Sequence, residues 1–175
     1  NACKETQTGY IRCLREMETS SEDLAGQEQV RVFESVREAA KVLSTTEGNI
    51  LITTGSKELK EYTKIGNYQE RCFARVLSTK AAMEESVRLG FEGKHLIAMQ
   101  GPFSEEMNLA LLHQTRARYF VTKESGKAGG FEEKLKAAKK AGAVLIVIGR
   151  PQERGRSVQE VCHFIESNFG KKEQE

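Results

Sequence analysis

Three short stretches of this 175-residue chain put hydroxyls, amides, amines and glycines where a plain connector would need few of them. The first is Thr53-Thr54-Gly55-Ser56, which follows an apolar run from Ile50. Its glycine lets backbone come close to a ligand. Its hydroxyls, with the free N–H groups of a following helix, can hold a phosphate. The plain alternative is a strand, a turn and Ser56 capping its own helix.

The second stretch is Gln100-Gly101-Pro102-Phe103, ahead of Ser104-Glu105-Glu106. Gln100 can donate and accept in the plane of an amide or heterocycle. Pro102 fixes the turn, and Phe103 offers a ring face. Two acidic residues in the next helix's first turn speak against a bare phosphate there. A nicotinamide, a ribose or an uncharged edge of a large substrate is more compatible. The plain alternative makes Phe103 core and has Gln100 cap the turn.

The third is Thr122-Lys123-Glu124-Ser125-Gly126-Lys127-Ala128-Gly129-Gly130. Lys123 falls at a strand's end, where it can meet an anion or supply a proton. The plain alternative is a surface loop. It is not a P-loop, because Val121 stands five residues before Gly126 where that motif has glycine. G-x-G-x-x-G, H-E-x-x-H and G-x-S-x-G are all absent. His95, His113 and His163 are scattered, with His163 among apolar positions, so no metal site is expected.

The totals bound the class. Hydrophobic residues make up 38% and charged residues 30%, which suits a globular domain with a core. A net charge of +2 gives no footprint for nucleic acid or membrane. Cys3, Cys13, Cys72 and Cys162 have neither metal-ligand nor redox spacing. Cys72 and Cys162 fall in apolar segments and read as reduced, buried thiols of a cytoplasmic protein. No run nears the ~20 apolar residues of a membrane span, and no signal peptide is visible.

The elements that must position these loops alternate. Strands are expected at Tyr10 to Leu14, Val30 to Phe33, Ile50 to Thr53, Cys72 to Leu77, Leu96 to Met99, Tyr119 to Val121 and Val144 to Ile148. Helices are expected after Ser35, from Lys57, at Lys80 to Leu89, at Glu105 to Gln114 and at Phe131 to Ala141. A last helix opens on the Ser157/Glu160 capping box, with Val158, Val161, Ile165 and Phe169 as its buried face. Glu16 to Gln29 reads as a linker. Such alternation implies right-handed βαβ units. The expected fold is α/β: a Rossmann-like, doubly wound parallel sheet of five to six strands with helices on both faces. In such a sheet, ligands bind beyond the strands' carboxyl ends, where all three stretches fall.

ILITTGSKEL (50–59), HLIAMQGPFSEEMNLALL (95–112), YFVTKESGKAGGFEEKLKAAKKAG (119–142) and VLIVIGRP (144–151) occur in this order. Together they resemble the precorrin-6A reductases of cobalamin biosynthesis, including the cobalt-precorrin-6A form. The resemblance implies a two-domain α/β enzyme with NADPH between its domains, reducing one ring double bond of a corrin-precursor tetrapyrrole. By position it implies that Thr54, Gly55 and Ser56 lie on the cofactor side. Gln100, Gly101, Pro102 and Phe103 would face nicotinamide or ring. Lys123, Ser125 and Gly126 would reach the cofactor or a substrate carboxylate, with Lys123 the catalytic candidate. Lys127, Arg150 and Arg154 are candidates for the substrate's carboxylates, and Arg156 lies near the same edge.

The resemblance further implies that residues 1–22 are a remnant of the first domain and a linker, with Gly9 to Arg12 that domain's last strand. Residues 23–170 would form the second domain and 171–175 a solvated tail. A partner would then be the absent N-terminal domain, and this chain alone would be inactive. Two other readings stay open: a non-catalytic α/β small-molecule-binding domain, and an unrelated α/β enzyme binding a phosphorylated metabolite at Thr53 to Ser56.

Overall fold

A computed structural model describes residues 2–14, 29–124, 130–149 and 155–169. Its described residues group into two compact units, residues 29–149 in one and residues 2–14 with 155–169 in the other. The linker expected at 16–29 and the tail lie almost wholly outside the described residues.

The small unit opens with helix α1, Ala2–Glu5. The large unit follows as β1 Val30–Phe33, α2 Val36–Leu43 and β2 Asn49–Ile52. A 3₁₀ turn, Ser56–Glu58, leads to α3 Leu59–Tyr62 and α4 Tyr68–Arg71. Then come β3 Cys72–Val76, α5 Lys80–Arg88, a 3₁₀ turn Gly93–His95 and β4 Leu96–Ala98. The unit finishes with α6 Glu105–Thr115, β5 Ala117–Lys123, α7 Phe131–Ala141 and β6 Val144–Ile148.

Six strands form one sheet in the order β1-β6-β5-β2-β3-β4, every neighbouring pair parallel. The chain steps outward from β2 to β3 to β4, then returns beside β2 as β5 and steps the other way. Because parallel crossovers are right-handed, reversing direction moves the helices to the other face. Two separate cores record this. Ile50, Ile52, Val121 and Ile146 pack with Val36, Leu43, Leu59 and Tyr62 on one face. Leu51, Phe120, Leu145 and Val147 pack with Leu111, Leu112, Ala137 and Ala138 on the other. Period-two alternation within each strand feeds both.

Local signals explain the helix ends. The Ser35 hydroxyl accepts from Glu38 N at 3.2 Å and starts α2. Thr79 and Ser104 cap α5 and α6 in the same way. Gly142, at φ +67°, ends α7 in the left-handed conformation that glycine adopts freely.

In the small unit, α8 spans Val158–Phe169. Its capping box forms: Ser157 N donates to Glu160 at 2.7 Å, and Glu160 N donates to the Ser157 hydroxyl at 3.1 Å. Two expectations fail here. Tyr10 to Leu14 is no strand, and a single parallel bridge pairs Cys13 with Arg156. Tyr10 is 69% exposed, and among the described residues the run extends no ladder beyond that bridge. The apolar stripe of α8 is not a buried face either: Val158, Ile165 and Phe169 are 47%, 50% and 75% exposed. Periodicity shows which residues share a face, and burial needs an element to cover it. Cys162 and His163 are exposed as well, whereas Cys72 is fully buried. Burial pushes the Cys72 thiol up to about 12, so it stays protonated and behaves as a small apolar side chain.

Candidate functional site

The carboxyl ends of β2, β3 and β4, with the start of α7, enclose a cleft of about 500 Å³. It lies beside the β2/β5 junction, where the strand order reverses and a crevice opens. Thr53 and Gly55 come from the loop after β2, residues 75–77 from the end of β3, and 99–103 from the loop after β4. Gly130 and Lys134 come from the start of α7. Two of the three stretches singled out in the sequence therefore meet here, and the third contributes its last residue.

The loop after β2 divides its labour. Thr53 extends the sheet, its N and hydroxyl both donating to Val121 O, at 2.9 and 2.8 Å. Gly55 sits at φ +90° and ψ 169°, a conformation essentially reserved for glycine. A Cβ there would meet nothing within 4 Å, so the backbone borders open space. Thr54 turns the other way: it is 8% exposed, with its hydroxyl 3.3 Å from that of buried Tyr62. Ser56 begins the 3₁₀ turn and caps nothing, Gly55 standing at the N-cap position without a side-chain bond.

The loop after β4 carries a cis Gly101–Pro102 bond. It places Gln100, Gly101, Pro102 and Phe103 together on the cleft wall. The Phe103 ring does more than face the cleft. The Arg75 guanidinium carbon stands 4.0 Å over its centre. Arg75, on β3, is 5% exposed and donates Nη1 to Asn108 Oδ1 at 2.8 Å. Asn108, fully buried on α6, is in turn fixed by Nδ2 donating to Ser104 O at 2.8 Å. The segment after β4 thus holds an arginine that belongs to β3.

Lys134, on α7, is the second cation of the cleft. Its Nζ donates to the Thr122 hydroxyl at 3.1 Å. Burial, then the charge of Arg75, draws its amine down to about 8, with Glu133 opposing. Burial alone draws the Arg75 guanidinium down to about 10, leaving it charged at neutral pH.

Lys123 closes β5 and forms an ion pair at 2.9 Å with Glu58 of the 3₁₀ turn. It is half exposed and joins two of the candidate loops, outside the residues that line the cleft. Ser125, Gly126, Lys127, Arg150 and Arg154 lie outside the described residues. Arg156 belongs to the small unit, where its guanidinium lies 4.9 Å over the Phe164 ring.

Sequence reasoning passed over Arg75, Asn108 and Lys134. The signal was there. Arg75 is a lone charge inside the strand Cys-Phe-Ala-Arg-Val, every residue of which is buried. Asn108 shares the buried face of α6 with Leu111, Leu112 and Thr115. Lys134 sits three and four residues from the buried Phe131 and Ala138 of α7.

Among the described residues, no three His, Cys, Asp or Glu side chains gather as a metal site, and no helix is long and apolar enough to cross a membrane.

Comparison with known proteins gives one consistent result. The model of the family described as precorrin-6x reductase CbiJ/CobK matches residues 1–166. The chain is 38% identical over 170 residues to a cobalt-precorrin-6A reductase of Priestia megaterium, covering 94% of this chain and 65% of that protein. It is 38% identical over 154 residues to a cobalt-precorrin-6A reductase of Methanothermobacter thermautotrophicus, covering 86% of this chain and 48% of that protein. A solved structure described as CobK precorrin-6A reductase superposes with a TM-score of 0.67 at 19% identity, covering 97% of this chain and 66% of that one. That likeness speaks for the fold. The chain thus spans about half to two thirds of the length of these relatives.

Proposed function

The chain belongs to the precorrin-6x reductase family, and from that premise we propose that it carries the second domain of an NADPH-dependent reductase. The substrate is a corrin-precursor tetrapyrrole, precorrin-6A or its cobalt form, and one ring double bond is reduced. One observation carries the reading. The cleft at the sheet's switch point combines a glycine-only backbone, an apolar wall and two partly desolvated cations. A dinucleotide with phosphates and a broad ring fringed with carboxylates are both ligands of that chemistry.

The residues present fit the cofactor. Open space beside Gly55 admits a ligand close to the backbone. NADPH, when bound, supplies the hydride. The chain's own part is to hold and orient. Gln100 offers an amide edge, while Leu77, Met99 and Pro102 supply apolar surface. Lys123 lies half exposed at the end of β5, ion-paired with Glu58, and its assignment to a carboxylate or phosphate of the ligand rests on the resemblance. Ser125, Gly126, Lys127, Arg150 and Arg154 remain assigned by resemblance to the cofactor and the substrate carboxylates. The competing idea of a phosphorylated metabolite at Thr53 to Ser56 loses ground. Thr54 is turned into the core, and the cleft's cations come from β3 and α7.

Titration of this chain with NADPH, followed by nucleotide fluorescence, tests the division of labour. Weak binding, poorer than micromolar, and no turnover by this chain alone are expected. Sub-micromolar affinity would show that the second domain holds the cofactor unaided.

A further inference from the structure

We propose that Arg75 and Lys134 form a two-cation subsite in the cleft that binds an oxyanion, either a phosphate or a carboxylate. The two sources considered, a phosphate of the dinucleotide and a carboxylate on the tetrapyrrole rim, rest on the reductase reading above. The subsite itself rests on geometry.

A buried guanidinium ordinarily has a carboxylate beside it, because desolvating a charge is costly unless it is paired. Arg75 is 5% exposed, and among the described residues it pairs with none. Its two partners are the Phe103 ring and the Asn108 amide oxygen, and both are neutral. They orient the guanidinium without cancelling its charge. Only Nη1 is used in that bond, so the remaining donors of the fork are left for a ligand. The orienting set is itself fixed, since Asn108 is tied to Ser104 and the ring covers one guanidinium face. Lys134 then brings a second positive charge to the same cleft, close enough for Arg75 to make its protonation harder. Both side chains line one cleft, so an oxyanion bound there meets the open Arg75 fork and the positive charge of Lys134 together. Arginine supplies the bidentate fork and lysine a compact charge.

The test uses the 175-residue chain and three probes in calorimetric titration: inorganic pyrophosphate, NADPH and uroporphyrin, a tetrapyrrole polycarboxylate. The variants are Arg75→Met, Lys134→Met and Arg75→Lys. Pyrophosphate should bind wild type saturably and release with salt. Each Met variant should bind it about ten- to a hundredfold more weakly, the usual worth of a charge-assisted contact. Arg75→Lys should fall between, keeping charge and losing the fork. If NADPH affinity falls by the same factor while uroporphyrin holds, the anion is a cofactor phosphate; the reverse assigns a substrate carboxylate. Wild type that binds no anion, or variants that bind all three probes like wild type, would overturn the subsite. Pyrophosphate bound through both cations, with neither NADPH nor uroporphyrin bound, would keep the subsite and count against the reductase reading. Should Arg75→Met fail to fold by thermal melting, Lys134→Met and Arg75→Lys give the same decision.

Discussion

Lys134 has an ammonium group where water is scarce and another cation is near, and that has a measurable cost. Its amine titrates near 8 in the folded protein against 10.5 ordinarily, through burial first and Arg75 second, with Glu133 opposing. Below about pH 8 the lysine is charged in both folded and unfolded chains, and the full penalty weighs on the folded state. Between about 8 and 10.5 the unfolded chain binds more protons, so this residue's contribution to stability rises with pH. Lys134→Met should therefore stabilise the chain at pH 7, by on the order of 1–3 kcal/mol. The gain should shrink to nothing by about pH 10.5. Thermal melts of the two proteins across that range check this; a variant that melts lower at pH 7 would mean the amine is well solvated. Lys123 differs. Its pair with Glu58 is half exposed, and such pairs contribute about 0–1 kcal/mol. Lys123→Met should barely move the melting temperature. In the reductase it should raise the KM for ring or cofactor about ten- to a hundredfold, with kcat largely kept, if the lysine binds an anion. A fall in kcat at saturation would assign it proton delivery instead. Of the site's residues, the sequence revealed those whose types suit loops. Gln100 and Phe103 stood out because a connector needs neither. Arg75 hid inside an apolar strand, because the sequence alone does not show that its side chain would find Phe103 and Asn108 waiting on the sheet's second face.

At the scale of elements, the turn after β2 is the most exacting. Gly55 holds φ +90° and ψ 169° with empty space where a Cβ would stand. Gly55→Ala meets no neighbour, so its cost is backbone strain alone, about 1–3 kcal/mol. A denaturant midpoint lowered to that extent, with an unchanged slope, is the expected outcome; an unchanged midpoint would mean the loop rebuilds without penalty. Elements were legible wherever a local signal and a tertiary partner agreed. Ser35 with Glu38 predicted the start of α2, and Ser157 with Glu160 that of α8. Phe131 to Ala141 ended at Gly142 as expected. Disagreement came where periodicity had no surface to meet: Tyr10 to Leu14 found one bridge, and the stripe of α8 stays exposed among the described residues. The short α4 went unseen, because a four-residue helix carries too little pattern to register.

The molecule as a whole follows from strand order. Once β2 to β4 step one way and β5 to β6 the other, right-handed crossovers put α2, α3 and α5 on one face and α6 and α7 on the opposite one. The cleft opens where the two halves diverge. A glycine turn, an apolar wall and two cations line it, Arg75 oriented by the Asn108 amide and the Phe103 ring and Lys134 bonded to the Thr122 hydroxyl. We propose that this cleft is half the site of an NADPH-dependent reductase of a corrin precursor. The most direct measurement follows NADPH absorbance when cobalt-precorrin-6A is added to this domain joined to a nucleotide-binding first domain. One NADPH should be consumed per tetrapyrrole reduced, and Arg75→Met should slow the reaction at limiting ligand. A correctly folded two-domain protein that consumes no NADPH with either the cobalt or the metal-free ring would contradict it.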